Sequence, residues 1–509
     1  MRECVCCPGN RNVPLLAALL HANLVIHRHA DERAAAFFAL GRALATQRPV
    51  AICCTSGSAV ANLMPGLCEA DALGAPLILL TADRPPRLQH CGAPQTMPQA
   101  GIFADFCRTS LHLPEPRSQG ERLPEALQDV AAALTSDRAP GPVHINVPLD
   151  DPLPPIPDPD FHDPGPLPVS TPRPATSQAI PDWAHVLRPV PPSCAGIIVI
   201  GTGHGVADGA LRQLADQSGY PLIADAGSGA RAWNSRQVIT TADRLCQDRL
   251  RDHRAQLLIR VGPAPLSRAC YQWCANQDCV VIRIDRRPVV ADFLHREFTT
   301  CPVSAIGTLV AQLPGLDPAW LQLWQQADQQ ARQAIDHAHT DGWSEQHAVA
   351  MALTRLPDRP LVVGNSLPIR HVNIIINKRK TLIHANRGLA GIDGTLATAA
   401  GRCRDEAPLV ILGDVTCFHD LSSLHLLRSH CPRAVVLVLD NGGGRIFDQL
   451  PVAETPELLE LLHCSCGVDL AAIATGFGWQ AHCAASRETL QDVLAQAIDG
   501  HHLIVARGF

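Results

Sequence analysis

The stretch Val410–Asp420, VILGDVTCFHD, decides the fold: an apolar run stops at Gly413-Asp414 and turns at once into a helix-like segment. A second stretch, VVLVLDNGGGRIF at Val435–Phe447, repeats the design, with Asp440-Asn441 closing the apolar run and three glycines behind them. In open α/β sheets, ligands bind outside the carboxyl ends of the strands. Two strand ends that offer oxygen ligands and bare backbone suit a hard divalent cation carrying a phosphate. Mg2+ takes one or two carboxylates and fills its other positions with phosphate oxygens and water. Taken alone, Asp414 also reads as a helix N-cap. Paired with Asn441, 27 positions further on, and with the glycines after it, the metal reading is the stronger one. The segment CFHDLSSLHLLR spaces Phe418, Leu421, Leu424 and Leu427 three apart, which predicts one helix with a buried stripe.

Around these strand ends lie 509 residues, too many for one core, and two to four domains are expected. The clearest boundary is Asp151–Pro174, DPLPPIPDPDFHDPGPLPVSTPRP, a run that builds neither helix nor central strand and acts as an extended connector. Ahead of it, LVIHRHADE, PVAICCTSG, APLILLTADRP and PVHINVPLD alternate with helix-like segments, as a mostly parallel sheet requires. Behind it, GIIVIGTGHG, PLIADAGSG, AQLLIRVG and CVVIRIDRRP form a second set. The helical stretch PAWLQLWQQADQQARQAIDHAH separates these from a third set beginning near PLVVGNSLPIR. The expected organisation is three doubly wound α/β domains, at 1–155, 181–335 and 336–509, with a linker at 156–180.

Composition narrows the function. Hydrophobic residues make up 46% and charged residues 18%, which suits a large buried interior. Aromatic residues are only 4%, too few for the stacking platforms that bind single-stranded nucleic acid, and a net charge of −6 without a basic run offers no phosphate-backbone track. No nucleic-acid partner is expected, and an anionic substrate must be held by local arginines. Many of the 20 cysteines sit in strand-like runs such as ECVCCPG and AICCTSG, where Cys acts as a small buried hydrophobe. Cys4 and Cys7 have C-x-x-C spacing and His463 neighbours Cys464 and Cys466, but no second pair stands at zinc-site distance. No apolar run approaches the ~20 residues of a membrane span and no secretory leader is evident. A reduced, cytoplasmic protein without a membrane partner is expected.

Three further motifs carry competing readings. HRHADERAAAFFALG puts Asp31, Glu32 and Arg33 where a strand passes into a helix, a place where acids also gather because of the helix dipole. CCTSGSAVANL is a strand, a small-residue turn and a helix start, able to cap the helix or to present amides to a ligand. GTGHG, Gly201–Gly205, follows a strand and is followed by Asp225, but Val206 stands where a dinucleotide fingerprint needs glycine, so a plain tight turn is the preferred reading.

Together these pieces resemble the thiamin-diphosphate enzymes. GD followed by DN is similar to that family's Gly-Asp-Gly…Asn-Asn signature, with Val415 in place of the last glycine and Asp440 in place of the first asparagine. Within it, the ordered set PGNRNVPL, HADER, TSGSAVANL, LILLTADRPP, CGAPQ, GNSLPIR, NRGLAGIDG, GDVTCFHDL and GGGRIFDQLP resembles the 2-succinyl-5-enolpyruvyl-6-hydroxy-3-cyclohexene-1-carboxylate synthases of menaquinone and phylloquinone biosynthesis. The resemblance covers almost the whole chain apart from the linker and parts of the middle segment. It implies a pyrimidine-binding, a middle and a diphosphate-binding domain, with thiamin diphosphate and Mg2+, or Mn2+ in its place, as cofactors.

The resemblance also implies roles for single residues. Glu32 matches the catalytic glutamate that hydrogen-bonds the cofactor's aminopyrimidine ring, and Ile392 matches the bulky residue that wedges the cofactor's two rings together. Asp414, Asn441 and the Gly443 carbonyl match the metal ligands, and Ser56, Gly57, Gly413 and Ile446 join the cofactor-binding set. The implied substrates are 2-oxoglutarate and isochorismate, dicarboxylates both. The matching substrate set is Asn10, Arg11, Arg84, Gln95, Arg268, Ser366, Arg370, Arg387, Ile446 and Phe447, rich in arginine because its fork fits a carboxylate bidentately. The reaction implied is decarboxylation of 2-oxoglutarate and 1,4-addition of the remaining four-carbon unit to isochorismate. Departures are a short stretch before PGNRN, asparagines at 10 and 12 where serines are usual, and Ala269 after Arg268 where the family has a Lys-Arg pair. A homodimer or a dimer of dimers is expected, because in this family the cofactor bridges two subunits.

Overall fold

A computed structural model describes residues 1–114, 123–135, 140–151, 153, 179–286, 294, 296–339, 342–381, 383–497 and 499–509. The linker expected at 156–180 lies outside the described residues except for its last two.

Three parallel six-stranded sheets follow one another along the chain. The first uses β1 (Glu3–Cys7), β2 (Val25–Arg28), β3 (Val50–Cys54), β4 (Leu77–Asp83), β5 (Thr109–His112) and β6 (Val143–Pro148), in the order β2-β1-β3-β4-β6-β5. The middle segment supplies β7 (Ser193–Cys194), β8 (Gly196–Ile200), β9 (Leu222–Ala224), β10 (Val238–Ile239), β11 (Leu257–Val261), β12 (Val280–Ile284), β13 (Thr299–Cys301) and β14 (Gly315–Leu316). Its sheet runs β10-β9-β8-β11-β12-β13, while β7 and β14 pair with each other. The third takes β15 (Leu361–Val363), β16 (Ile383–His384), β17 (Leu409–Gly413), β18 (Ala434–Leu439), β19 (Gln480–Ala484) and β20 (His501–Ala506), in the order β16-β15-β17-β18-β20-β19. The first and third sheets thus share one topology. In each, the chain reverses direction across the sheet between its first and third strands, and such a reversal opens a crevice at the carboxyl ends. The central strands β3 and β18 are apolar and buried at every residue because both faces are covered.

By contacts, the chain forms two compact units. One comprises Met1–Thr176, Gly388–Glu406 and His419–Pro432, and the other Ser177–Arg387, Ala407–Phe418 and Arg433–Phe509. In the first unit, the helix Glu32–Thr46 starts at Asp31, whose side chain accepts from the Ala34 amide at 3.2 Å. It packs closely on the helix Thr395–Arg402, where a side chain on Gly401 would run into the Phe38 carbonyl. The helix expected over CFHDLSSLHLLR is in fact two, Asp414–His419 and Ser423–His430. The break has a cause in Asp420, which is buried and accepts from the amides of Leu396 at 2.7 Å and Ala397 at 3.2 Å and from the Ser423 hydroxyl at 2.6 Å. Asp420 therefore caps the helix Thr395–Arg402, whose own N-cap, Gly394, has no side chain to offer. The break shifts the helical phase, and Phe418 is 45% exposed instead of buried.

The middle sheet has the 3-2-1-4-5-6 strand order of dinucleotide-binding folds, and GTGHG sits at its switch point. The turn is filled by its own histidine. His204 Nε2 bonds the Ser228 carbonyl at 2.9 Å, and Nδ1 accepts from the Val206 amide at 3.0 Å. The next helix, Asp208–Ser218, opens on a carboxylate engaged by Trp233 and Arg212, which is the wrong charge for a phosphate seat. Among the described residues, no helix is long and apolar enough to cross a membrane.

Candidate active site

The expected site residues divide between the two units. In the first unit they cluster at the carboxyl ends of β1 to β4. Glu32 is the first residue of its helix, half-buried, and its carboxylate accepts no hydrogen bond from a described residue. It lies beside the ends of β1 and β3: burial, and then the Glu32 charge, push the Cys7 thiol up, and Cys54 is pushed up by burial, by Cys7 and Cys53, and then by Glu32. Next to it, Asp31 accepts from the Ser422 hydroxyl at 2.7 Å and Arg33 donates to the His419 carbonyl at 2.7 Å, so the residues flanking Glu32 are engaged in structure. Ser56 is buried with its hydroxyl unpartnered among the described residues, and Gly57, at φ +83°, donates its amide to Gln99 Oε1 at 2.8 Å.

Arg11 and Arg84 come together. Arg11 Nη1 donates to the Leu149 carbonyl at 2.9 Å and pairs with Asp151 at 3.6 Å, while Arg84 Nη2 donates to Gln95 Oε1 at 3.2 Å. Burial, followed by the charge of Arg11, lowers Arg84 from its ordinary value. Arg11 Nε and Arg84 Nη1 are buried without partners among the described residues. Two cationic forks with unused donors make a seat for a carboxylate. Asn10 is exposed and joins no such group, whereas Asn12 is wholly buried and braces the turn, accepting from the Gly9 amide at 3.0 Å and donating to the Cys7 carbonyl at 3.0 Å. Ile392 is half-buried on a loop anchored by Glu69, whose carboxylate accepts from the amides of Gly388 at 2.8 Å and Leu389 at 2.7 Å.

In the second unit, the register pairs Gly413 with Leu439, so Asp414 and Asp440 leave neighbouring strands side by side. Burial, with the Asp440 carboxylate next to it, pushes Asp414 up to about 6. Asn441 follows, its Nδ2 donating to Glu345 Oε1 and its Oδ1 accepting from the Gly443 amide at 3.1 Å. Gly442, Gly443 and Gly444 all have positive φ, at 83°, 78° and 71°, and a side chain on Gly443 would collide with the Cys464 carbonyl. Only glycine allows this turn. A crowded carboxylate pair with an adjacent amide oxygen and bare backbone fits a hard divalent cation, which would relieve the repulsion.

Beside this turn, Ile446 lines a cavity of about 870 Å³ together with Arg268, Arg370, Ser267, Asp243 and Leu450. Arg370 lies on the helix Leu367–Ile375 and donates to the Ser366 carbonyl at 2.6 Å, and burial lowers it from its ordinary value. Ser366 itself has φ +71°. Arg268 is exposed at the cavity wall. Arg387 donates to Asn365 Oδ1 at 2.9 Å, and neither it, Ser366 nor Phe447 contributes to the lining. Sequence reasoning passed over Glu345, Glu69 and Gln99. Glu345 follows Ser344 at a helix start and looks like an ordinary first-turn acid, and Glu69 lies inside a helix. Neither carries a local signal.

Comparison with known proteins adds a family. Residues 1–102 match the family model of the thiamine pyrophosphate enzyme, N-terminal TPP binding domain. Three curated proteins named 2-succinyl-5-enolpyruvyl-6-hydroxy-3-cyclohexene-1-carboxylate synthase align over nearly the whole chain. That of Roseiflexus sp. (strain RS-1) is 34% identical, covering 97% of this chain and 89% of its own. That of Bacillus velezensis is 32% identical, covering 99% and 91%, and that of Synechococcus sp. (strain JA-3-3Ab) is 34% identical, covering 98% and 88%.

Proposed function

This chain belongs to the 2-succinyl-5-enolpyruvyl-6-hydroxy-3-cyclohexene-1-carboxylate synthase family of thiamin-diphosphate-dependent enzymes, and from that premise we propose the reaction it runs. It decarboxylates 2-oxoglutarate and joins the remaining four-carbon unit to isochorismate by 1,4-addition, a step of menaquinone biosynthesis in the cytoplasm. One CO2 leaves and one carbon–carbon bond forms. When bound, thiamin diphosphate supplies the thiazolium carbon that takes up the 2-oxoacid and lets CO2 depart.

The chain's own residues bind, orient and move a proton. Glu32, whose carboxylate has no hydrogen-bond partner among the described residues, holds a proton against the ring nitrogen of the aminopyrimidine. Asp414, Asn441 and the Gly443 carbonyl hold Mg2+, or Mn2+, and through it the diphosphate, with Gly413 at the strand end beside them. Ser56 and Gly57 border the pyrimidine side, and Ile392 supports the cofactor's shape. Arg11, Arg84 and Gln95 take one substrate carboxylate. Arg370 and Arg268, in the cavity with Ile446, take another. Arg387, Ser366, Phe447 and Asn10 complete the substrate set through family resemblance. We assign a homodimer or a dimer of dimers on the same ground, with each cofactor held by residues of two chains.

The observation that carries this reading is the carboxylate pair at the ends of β17 and β18 beside a cavity walled by Arg251, Arg268 and Arg370. A substrate profile tests it. With thiamin diphosphate and Mg2+ present, 2-oxoglutarate should be consumed at least tenfold faster with isochorismate than without, and pyruvate should not replace it. Equal or faster turnover of monocarboxylic 2-oxoacids would assign the chain to another decarboxylase or carboligase type.

A further inference from the structure

An asparagine amide turned by half a rotation exchanges its oxygen for its NH2 group, and at a metal position the two are opposites. Something must set which way Asn441 faces. Asn441 Nδ2 donates to Glu345 Oε1, which as part of a carboxylate can only accept. Turning the amide over would press Oδ1 against that carboxylate in a site where Glu345 is 9% exposed. The oxygen is therefore kept on the branch away from Glu345, where it accepts from the Gly443 amide at 3.1 Å.

Glu345 is itself fixed from two sides. It is the first residue of the helix Glu345–Arg355, where the unpaired amides and the helix dipole favour a carboxylate. Its Oε2 lies 2.5 Å from His371 Nε2. His371 is buried and its Nδ1 has no partner among the described residues, so a neutral ring carries its proton on Nε2 and donates it to Glu345. His371 immediately follows Arg370 on the helix Leu367–Ile375. A continuous line His371–Glu345–Asn441 thus joins the helix bearing the cavity arginine to the amide at the strand end.

We infer that Glu345 is a positioning residue: it selects the amide orientation in which Asn441 presents its oxygen to the divalent cation, with His371 holding Glu345 in place. The inference rests on the reading of Asn441 as a metal ligand. Groups that orient metal ligands from behind change metal affinity by about 10- to 100-fold when removed.

The test measures Mn2+ affinity of the full chain by calorimetry in the presence of thiamin diphosphate, independent of turnover. Glu345→Ala is expected to weaken Mn2+ binding about tenfold or more. Because that variant opens a void, the decisive comparison is a cycle of Glu345→Gln and Asn441→Asp, both near-isosteric, with far-ultraviolet circular dichroism as the check on folding. In the natural background, Glu345→Gln should weaken binding, since the glutamine can offer Asn441 the wrong group. In the Asn441→Asp background two carboxylates face each other, and there Glu345→Gln should instead strengthen binding by at least threefold, because its amide donates to the carboxylate that replaced the asparagine. The sign reversal is the prediction. Equal effects of Glu345→Gln in both backgrounds would overturn it. Asp414→Ala separates the layers: if Asp414→Ala destroys Mn2+ binding and the cycle is additive, only the positioning role fails. If Asp414→Ala leaves binding unchanged, the metal reading fails and the inference with it.

Discussion

Arg231→Met should loosen the helix that carries Arg370. Arg231 is 3% exposed, and its guanidinium donates to the carbonyls of Ala224 at 2.8 Å and Asn373 at 2.6 Å, to the Ile376 carbonyl, and to Asn373 Oδ1 at 2.9 Å. Asn373 and Ile376 lie at the carboxyl end of the helix Leu367–Ile375, where the last carbonyls have no partners within the helix. A single cation of the middle segment therefore satisfies the helix end. Burial pulls Arg231 down to about 10, still far above neutrality, so the group is charged under assay conditions. Methionine keeps most of the stem volume but withdraws every one of these donations, leaving Asn373 Oδ1 with the Ala226 amide at 2.9 Å, and it strips the cation from buried Asp225, which burial already pushes up to about 6. Removing one member of a buried charged network costs about 3–5 kcal/mol. With about 2–4 °C of melting temperature per kcal/mol, the loss is about 6–20 °C. Differential scanning calorimetry reads the shift, and the KM for 2-oxoglutarate should rise because Arg370 is no longer held. Arg231→Lys, which keeps charge but fewer donors, should fall between. A shift of under about 2 °C would show that the helix end does not depend on these bonds.

Glu32→Gln should bind thiamin diphosphate within a few-fold of the natural chain while CO2 release falls about 10²- to 10⁴-fold, the range general acid–base catalysis supplies; near-normal release removes Glu32 from the mechanism. His144 is wholly buried, bonded to the Thr81 hydroxyl at 2.7 Å, and burial lowers it to about 4. A depressed histidine favours the neutral folded form, so its contribution is full above the unfolded value near 6.5 and is lost as pH falls toward 4. His144→Gln should flatten the slope of unfolding free energy against pH by about 1.4 kcal/mol per unit within that window, and an unchanged slope in urea titrations would refute the assignment. Mixing Glu32→Gln with Asp414→Ala under subunit exchange should restore activity if cofactor sites are shared between chains. Mixed dimers that form, as seen by mass, and stay inactive would assign each site to one chain.

The strand ends were legible because strands buried on both faces leave unbroken apolar runs, and any polar residue that interrupts them stands out. Asp414 and Asp440 announced themselves this way, and the register places them side by side. Arg11, Arg84 and Gln95 were legible as a set only through family resemblance, since 84 positions of chain separate the first from the last. Spacing misled at Phe418, where a period of three suggested one helix. The buried carboxylate of Asp420 instead serves a helix that starts at Thr395, and no local pattern records that demand. The same blindness to distance hid Glu345 and Glu69, whose partners lie 96 and 319 positions away. The division into units was equally hidden. Helices Thr395–Arg402 and Ser423–His430, sequence neighbours of the third sheet, belong to the unit of the first sheet, held there by small residues such as Gly41 and Gly401.

The most direct measurement of the central claim follows two carbon atoms. Incubated with isochorismate, thiamin diphosphate and Mg2+, 2-oxoglutarate labelled at C1 should release all its label as CO2. The same substrate labelled at C2 should pass its label into a product whose mass equals the two substrates minus one CO2. Label from C2 recovered in free succinic semialdehyde, with isochorismate left intact, would contradict the account and leave a simple decarboxylase in its place.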